Sequence, residues 1–255
     1  KIKRLEKGYS NDEKWLIREN DRYYVLRTFK EGQARREQEF ELLKQLKSLG
    51  ARSLRAISIR KGEMVTSYIE GDDAEDALFT LSEEQQYELG FEASKDLQKI
   101  HTIMAEEQNW AERQEAKYRR YVQQYKELGL QMEGVDQVQT FIDKRLYLMV
   151  GRPSVLQHDD FHLPNLIVQN GKYDGVIDFG RFDWGDPIFD FVKLGMFSSE
   201  KSVPFCRGML KGYYDAEPSE EFWELYAMYV AMSVFSGLVW GYLYGDFEQL
   251  EHQAK

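Results

Sequence analysis

The chain has 255 residues, a net charge of −10 and a hydrophobic share of 42%. That length suffices for one large domain or two lobes around a cleft, and that composition excludes a wholly disordered chain. No apolar run reaches the roughly 18 residues of a membrane span, and the opening KIKRLEKGYS lacks the apolar centre of a signal peptide. The single cysteine, Cys206, allows neither an internal disulfide nor a paired-cysteine zinc clip. A soluble, cytoplasmic protein with no membrane partner is expected.

Charge is unevenly distributed. Residues 1–70 hold 17 basic and 11 acidic side chains, and residues 71–255 hold 17 and 33. A basic first part suits an anion and a strongly acidic remainder suits a cation, although ordinary solvating charge produces the same imbalance. Nucleic acid is a poor partner for so acidic a surface.

In chain order, "KWLIREN" and "RYYVLRTF" are β-rich runs around Glu19-Asn20-Asp21 and predict a hairpin. "QARREQEFELLKQLKSLG" predicts a helix with Phe40, Leu43 and Leu46 on one face and a stop at Gly50. "SLRAISIR" and "EMVTSYIEG" flank Lys61-Gly62, a second hairpin signal. Beyond Gly71 the pattern becomes helical, beginning with a long helix capped by Ser82. Two more helices follow, then two short strands, "NLIV" and "YDGVIDF", around Asn170-Gly171, and a final helical, aromatic-rich part. The expected organisation is a small antiparallel sheet with one helix over residues 1–70 and a larger, mainly helical part over 71–255, an α+β arrangement.

The stretch "HDDFHLPN", residues 158–165, carries the chemistry. His158 and His162 have the spacing of a zinc-binding helix, but Asp159 stands where such a site needs its glutamate, and Pro164 disfavours helix at Leu163. The other reading joins Asp160 and Asn165 to Asp178 at the end of the apolar strand in "GVIDFG". Phosphoryl transfer needs a carboxylate beside the accepting hydroxyl and oxygen ligands for Mg²⁺, and these three residues supply that set.

"QHDDFHLPNLIV" followed by "GVIDFGRFDWGDPIFDF" resembles the aminoglycoside phosphotransferase and choline kinase family, small-molecule kinases with a two-lobed, protein-kinase-like fold. The family's spaced pattern falls on His158, Asp160, Asn165, Asp178, Gly185-Asp186-Pro187 and Asp190, with Asp159 in place of the usual glycine. The resemblance implies Asp160 as the catalytic base or orienting group, and Asn165 and Asp178 as Mg²⁺ ligands. It implies a phosphate-covering turn in "LEKGYSNDEKWLI", where Ser10 would donate to phosphate and Gly8 is the one glycine. It implies Arg27 in the place of a phosphate-binding lysine, with Glu37 holding it. At the hinge "MVTSYIEGDD", backbone groups of Ser67 and Ile69 would read the base of ATP or GTP.

His158, Asp186 and Asp190 read as structural: a loop-bracing histidine, an N-cap before Pro187, and a carboxylate under the catalytic loop. Arg181 and Asp183 lie just beyond Asp178, and their roles in that segment are open. The acceptor is expected to be a small hydroxylated molecule, cationic and aminoglycoside-like, met by Asp159, Asp183, Glu112, Glu115 and the last helices. Trp240, Tyr242 and Tyr244 there, near Asp246 and Glu248, read mainly as core packing. Choline, homoserine, a sugar or a macrolide are alternative acceptors, and a non-catalytic kinase-like binding or coat protein is an alternative role.

Overall fold

The computed structural model describes residues 2–5 and 12–245. The chain opens with strands β1 (Ile2–Leu5), β2 (Glu13–Glu19) and β3 (Arg22–Thr28). Asn20 and Asp21 both take left-handed backbone conformations, φ 47° and 59°, so the expected hairpin closes through a two-residue turn matched to strand twist. Helix α1 (Gln33–Ser48) follows, then the hairpin β4 (Ala56–Arg60) and β5 (Glu63–Ser67) around Gly62. Among the described residues these strands form one antiparallel sheet in the order β1-β2-β3-β5-β4. Helix α1 buries Leu42, Leu43 and Leu46 and also Glu39, whereas Phe40 is only half-buried.

After β6 (Asp72–Asp73) and the short α2 (Ala74–Ala77), helix α3 (Glu83–Ile100) starts at Ser82. Ser82 and Gln85 form a reciprocal capping box that satisfies two N–H groups at the helix start. Helices α4 (Trp110–Glu127) and α5 (Val135–Asp143) lead to β7 (Val155–Gln157). Next come β8 (Leu166–Gln169), β9 (Lys172–Val176) and β10 (Asp183–Gly185). The β8–β9 hairpin turns at Asn170 and Gly171, φ 52° and 73°. Strand β6 joins β8, and β10 pairs with β7, so the segment after Asp178 is anchored to the strand before His158.

A turn at Pro187–Asp190 leads into α6 (Phe191–Lys193), a wider π turn at Leu194–Ser198, α7 (Val203–Tyr214) and α8 (Glu220–Tyr244). Against the sequence expectation, helix α8 is long and apolar enough to cross a bilayer by length and composition, and half of that stretch is buried inside the protein. Its buried residues, including Leu225, Tyr229, Met232 and Phe235, join the core with Trp110, Tyr118 and Tyr125 of α4. Trp240, Tyr242 and Tyr244 differ from the expected core packing: all three are exposed, and Trp240 stacks on Tyr244 at 4.7 Å. Asp246 and Glu248 lie outside the described residues.

The architecture is α+β, an N-terminal antiparallel sheet with one helix followed by a mainly helical part.

Candidate active site

The loop His158–Asn165 is built on buried supports. His158 is fully buried, its Nε2 lies 2.9 Å from the Ile177 carbonyl, and its ring meets Phe179 and Phe161 edge-on. The Asp190 carboxylate accepts the N–H groups of His158 and Asp159 at 2.8 and 2.7 Å and contacts His101 Nε2 at 3.0 Å. Asp159 has φ 58°. That left-handed conformation explains why glycine is the usual residue in the pattern, and aspartate is among the side chains that tolerate it. Asp186 caps the turn at Pro187 by accepting from Ile188 N–H, and it also receives a two-pronged contact from Arg152.

Asp160 and Asn165 meet directly: the Asn165 Nδ2 donates to the Asp160 carbonyl and to its Oδ2, at 2.9 and 3.0 Å. This orients the amide with Oδ1 as its remaining acceptor. Ile177 N–H donates to the Asn165 carbonyl at 2.9 Å, which brings the end of β9, and hence Asp178, beside the loop. Asp178 itself sits at φ 63°. The three residues singled out in the sequence are thus gathered in one place. The sharp turn at Asp159 and the non-helical course of His158–His162, followed only by a 3-10 turn at Leu163–Asn165, rule out a zinc helix there.

Electrostatics differ along the loop. Burial pushes the Asp160 carboxyl upward, but the His162 imidazole 3.6 Å away and the Lys193 ammonium 3.4 Å away outweigh it, leaving it well below the usual carboxylate range. For Asp178 burial is likewise outweighed, here by Lys14, Arg27 and His158, and the net shift is downward. Asp159 shows the opposite balance. Burial pushes its carboxyl up to about 6, and Lys117 and Lys193 only moderate the rise.

Oxygen donors from ionised Asp178 and the Asn165 amide fit a hard divalent cation that completes its shell with phosphate and water. Among the described residues no cluster of three or more His, Cys, Asp or Glu could hold a metal unaided.

The sheet supplies the basic side. Arg27, on β3, is 7% exposed, and its Nη1 donates to both Glu39 carboxylate oxygens at 3.0 Å. The expected partner Glu37 is corrected to Glu39. Glu37 lies on the exposed side of α1 and bonds Gln33, while Glu39, on the buried side, is the carboxylate that reaches the sheet. Asp12 and Arg36 complete the network: Arg36 bridges Asp12 at 2.6 Å and Glu39 at 2.9 Å, and Asp12 lies 3.8 Å from Arg27. Two guanidinium groups and two carboxylates thereby neutralise each other.

At the expected hinge, the Ser67 N–H is taken by the Arg55 carbonyl and the Tyr68 N–H by Tyr23, while the Ser67 hydroxyl accepts from Arg55. This restricts the base-reading groups of Ser67 to its carbonyl and leaves Ile69 beyond the strand end. The Ile69 side chain packs toward Gly175 of β9. Ser10 and Gly8 lie outside the described residues.

Of the carboxylates expected to meet the acceptor, Asp183 is bound by Arg113 at 2.5 Å, and Glu115 by Arg119 at 2.7 Å. Glu112 is exposed, as is Arg181. The sequence reading missed Lys14, Arg113, Lys117 and Lys193, the cations around these carboxylates. Lys14 had a signal: counting equal steps outward from the Asn20-Asp21 turn pairs it with Arg27.

Comparison with known proteins bears on the family and the fold. The model of the phosphotransferase enzyme family, APH, matches residues 1–224. The gentamicin complex of APH(2'')-IIa is similar with a TM-score of 0.73 and 21% identity, covering 99% of this chain and 89% of that one. A thermostable form of aminoglycoside phosphotransferase APH(4)-Ia, in ternary complex with AMP-PNP and hygromycin B, gives 0.76 and 14%, covering 100% and 90%. Macrolide 2'-phosphotransferase MphH from Brachybacterium faecium gives 0.66 and 15%, covering 99% and 90%. These likenesses are of fold. No curated protein sequence matches the chain.

Proposed function

The chain belongs to the phosphotransferase enzyme family, and from that premise we propose that it transfers the γ-phosphoryl group of ATP or GTP to a hydroxyl of a small molecule. The observation that carries this reading is the contact between Asp160 and Asn165, set beside Asp178 and braced from below by Asp190.

In this reading the acceptor oxygen attacks the γ-phosphorus. The bond to the bridging oxygen breaks, the nucleoside diphosphate leaves, and the acceptor proton passes to Asp160 or to water. Asp160 is held ionised by Lys193 and His162, so it is a weak base. A loose, metaphosphate-like transition state asks mainly for an oriented hydroxyl, which an ionised carboxylate fixed by Asn165 can provide. Asn165 and Asp178 would hold Mg²⁺, which when bound neutralises charge on the phosphates. Arg27 and Glu39 tie α1 to the sheet on the nucleotide side. The Ser67 carbonyl and the backbone of Ile69 would meet the base, and Ser10 would donate to phosphate. A cytoplasmic setting, where nucleoside triphosphate is supplied, suits the reaction.

The leading acceptor is a cationic, aminoglycoside-like antibiotic. Its support is the acidic balance of residues 71–255, the ionisable Asp159 beside Asp160, and relatives of the same fold named for gentamicin and hygromycin B. A second reading, a less charged hydroxylated acceptor, is favoured by one observation: Asp183 already has Arg113 as its counter-ion, and Lys117 and Lys193 lie near Asp159.

The experiment is a screen of aminoglycosides, macrolides and hydroxylated metabolites for a nucleotide-dependent mass gain of one phosphoryl group. Replacing Asp160 with alanine should slow transfer roughly 10²–10⁴-fold while nucleotide still binds. Undiminished transfer by that variant would remove Asp160 from the mechanism.

A further inference from the structure

The residue at the phosphate-lysine position of β3 is Arg27, and its surroundings do not leave it available to a phosphate. Arg27 is 7% exposed, with Nη1 donating to both oxygens of Glu39 and Nε facing Asp12. Drawing it toward a triphosphate would leave the buried Glu39 carboxylate short of a counter-ion, which is costly away from water.

The neighbouring strand carries another cation at the same level. Lys14 of β2 is directly opposite Arg27 in the antiparallel register, so the two side chains emerge on one face of the sheet. The Lys14 ammonium lies 3.3 Å from Asp178 Oδ2, closer than Arg27, whose Nη2 lies 3.9 Å from Asp178 Oδ1. Among the described residues Asp178 is the one ion-pair partner of Lys14. The lysine side chain keeps 15% of its surface open and Asp178 keeps 37%, whereas Glu39 keeps 1%. The ammonium therefore stays partly open to solvent beside the carboxylate assigned to the metal, on a flexible stem with three donors.

We propose that Lys14, supplied from β2, is the phosphate-contacting lysine of this protein, and that Arg27 serves as the internal counter-ion of Glu39 and Asp12. The proposal rests on the nucleotide-dependent reading given above. It replaces the sequence expectation that Arg27 bridges the phosphates. The two residues exchange tasks across one hydrogen-bonded strand pair: the less hydrated, planar guanidinium fills the buried ion network, and the compact ammonium faces the open side.

The test is calorimetric titration of the full chain with Mg²⁺ and ATP, GTP, or the phosphate-free nucleosides adenosine and guanosine. Lys14→Met keeps the aliphatic stem and removes the charge. The preferred triphosphate should bind this variant roughly ten- to a hundredfold more weakly, the loss expected for one hydrogen bond to a charged group. The matching nucleoside should bind it as it binds the unmodified protein, and Lys14→Arg should recover most of the triphosphate affinity. Triphosphate binding unchanged in Lys14→Met, or triphosphate and nucleoside binding weakened equally, would overturn the assignment of Lys14. Absence of nucleotide binding by the unmodified protein would instead overturn the phosphotransferase reading, and this assignment with it.

Discussion

Asp190 Oδ2 accepts the His158 backbone N–H at 2.8 Å, tying the turn after Pro187 to the first residue of the candidate catalytic loop. Its other oxygen takes the Asp159 N–H, and His101 approaches from α3, so one buried carboxylate serves three elements. Asp190→Ala removes the acceptor from two N–H donors and the partner of His101 at a buried position. The expected cost is on the order of 3–5 kcal/mol in unfolding free energy, read by urea denaturation. Phosphoryl transfer should be lost with it, because Asp160 hangs from the same loop. A stable, fully active alanine variant would show that the loop does not need this brace.

Glu39 and Glu37 make a paired test on one helix. Glu39 is 1% exposed and neutralises Arg27 and Arg36, whereas Glu37 is exposed and, among the described residues, bonds Gln33 within its own turn. Glu39→Gln should destabilise the protein by roughly 3–5 kcal/mol, since it strands buried guanidinium charge. Glu37→Gln should fall within about 0.5 kcal/mol of the parent, as surface changes do. Parallel thermal and urea melts of the two variants decide it, and equal losses would contradict the ion network.

How much of this was readable beforehand depended on whether the signal was local. The hairpins at Asn20-Asp21 and Asn170-Gly171 were legible because each turn needs left-handed residues in sequence, and Ser82 because its capping partner Gln85 is one turn away. Asp160, Asn165 and Asp178 were legible as a spaced set whose members lie on one loop and hairpin. Glu39 was missed because Glu37 and Glu39 are alternatives two positions apart, and only the docking of α1 on the sheet selects between them. Strands as short as Asp72–Asp73, Val155–Gln157 and Asp183–Gly185 offer no period to detect. Lys193 and Arg113 reach the site from helices far along the chain, and nothing local to either announces it.

Asp159 gives the protein a pH signature. Its carboxyl, ordinarily near 3.8, is pushed up to about 6 by burial against the weaker pull of Lys117 and Lys193. Below both values the group is protonated in the folded and unfolded chains alike. Between them the folded chain holds the proton and the unfolded chain does not. This group therefore makes stability decline as pH rises from about 4 to about 6, and the loss persists above that. Asp159→Asn should remove this slope and raise stability at pH 8, on the order of 2–3 kcal/mol. The same ionisation governs an amine-bearing acceptor: its KM should fall as pH rises through about 6 and lose that dependence in the asparagine variant. Melts across pH 4–8 and acceptor saturation curves across pH 5–8 read both effects.

The packing of α3 against α7 depends on a bare backbone at Gly208. A methyl group there would lie 2.0 Å from the Tyr87 carbonyl oxygen and 3.0 Å from the Phe91 nitrogen. Both are main-chain atoms of α3, so no side chain can swing aside to make room. On the next turn of α7, the Gly212 carbonyl accepts from Lys95 Nζ at 2.6 Å and that of Tyr213 from Gln98 Nε2 at 2.5 Å, and both bonds require the same close approach. Gly208→Ala must therefore separate the helices and strain these contacts together. A loss of about 1–3 kcal/mol or more follows from forcing volume into a packed interface, despite alanine's better helix propensity. Tyr213 also bonds His101, the residue that touches Asp190, so the disturbance has a route to the catalytic loop. Transfer should accordingly slow in the folded variant, while nucleoside affinity, set at the sheet and hinge, stays at the parental level. A variant that melts with the parent would show that α3 and α7 tolerate a wider spacing than these contacts imply.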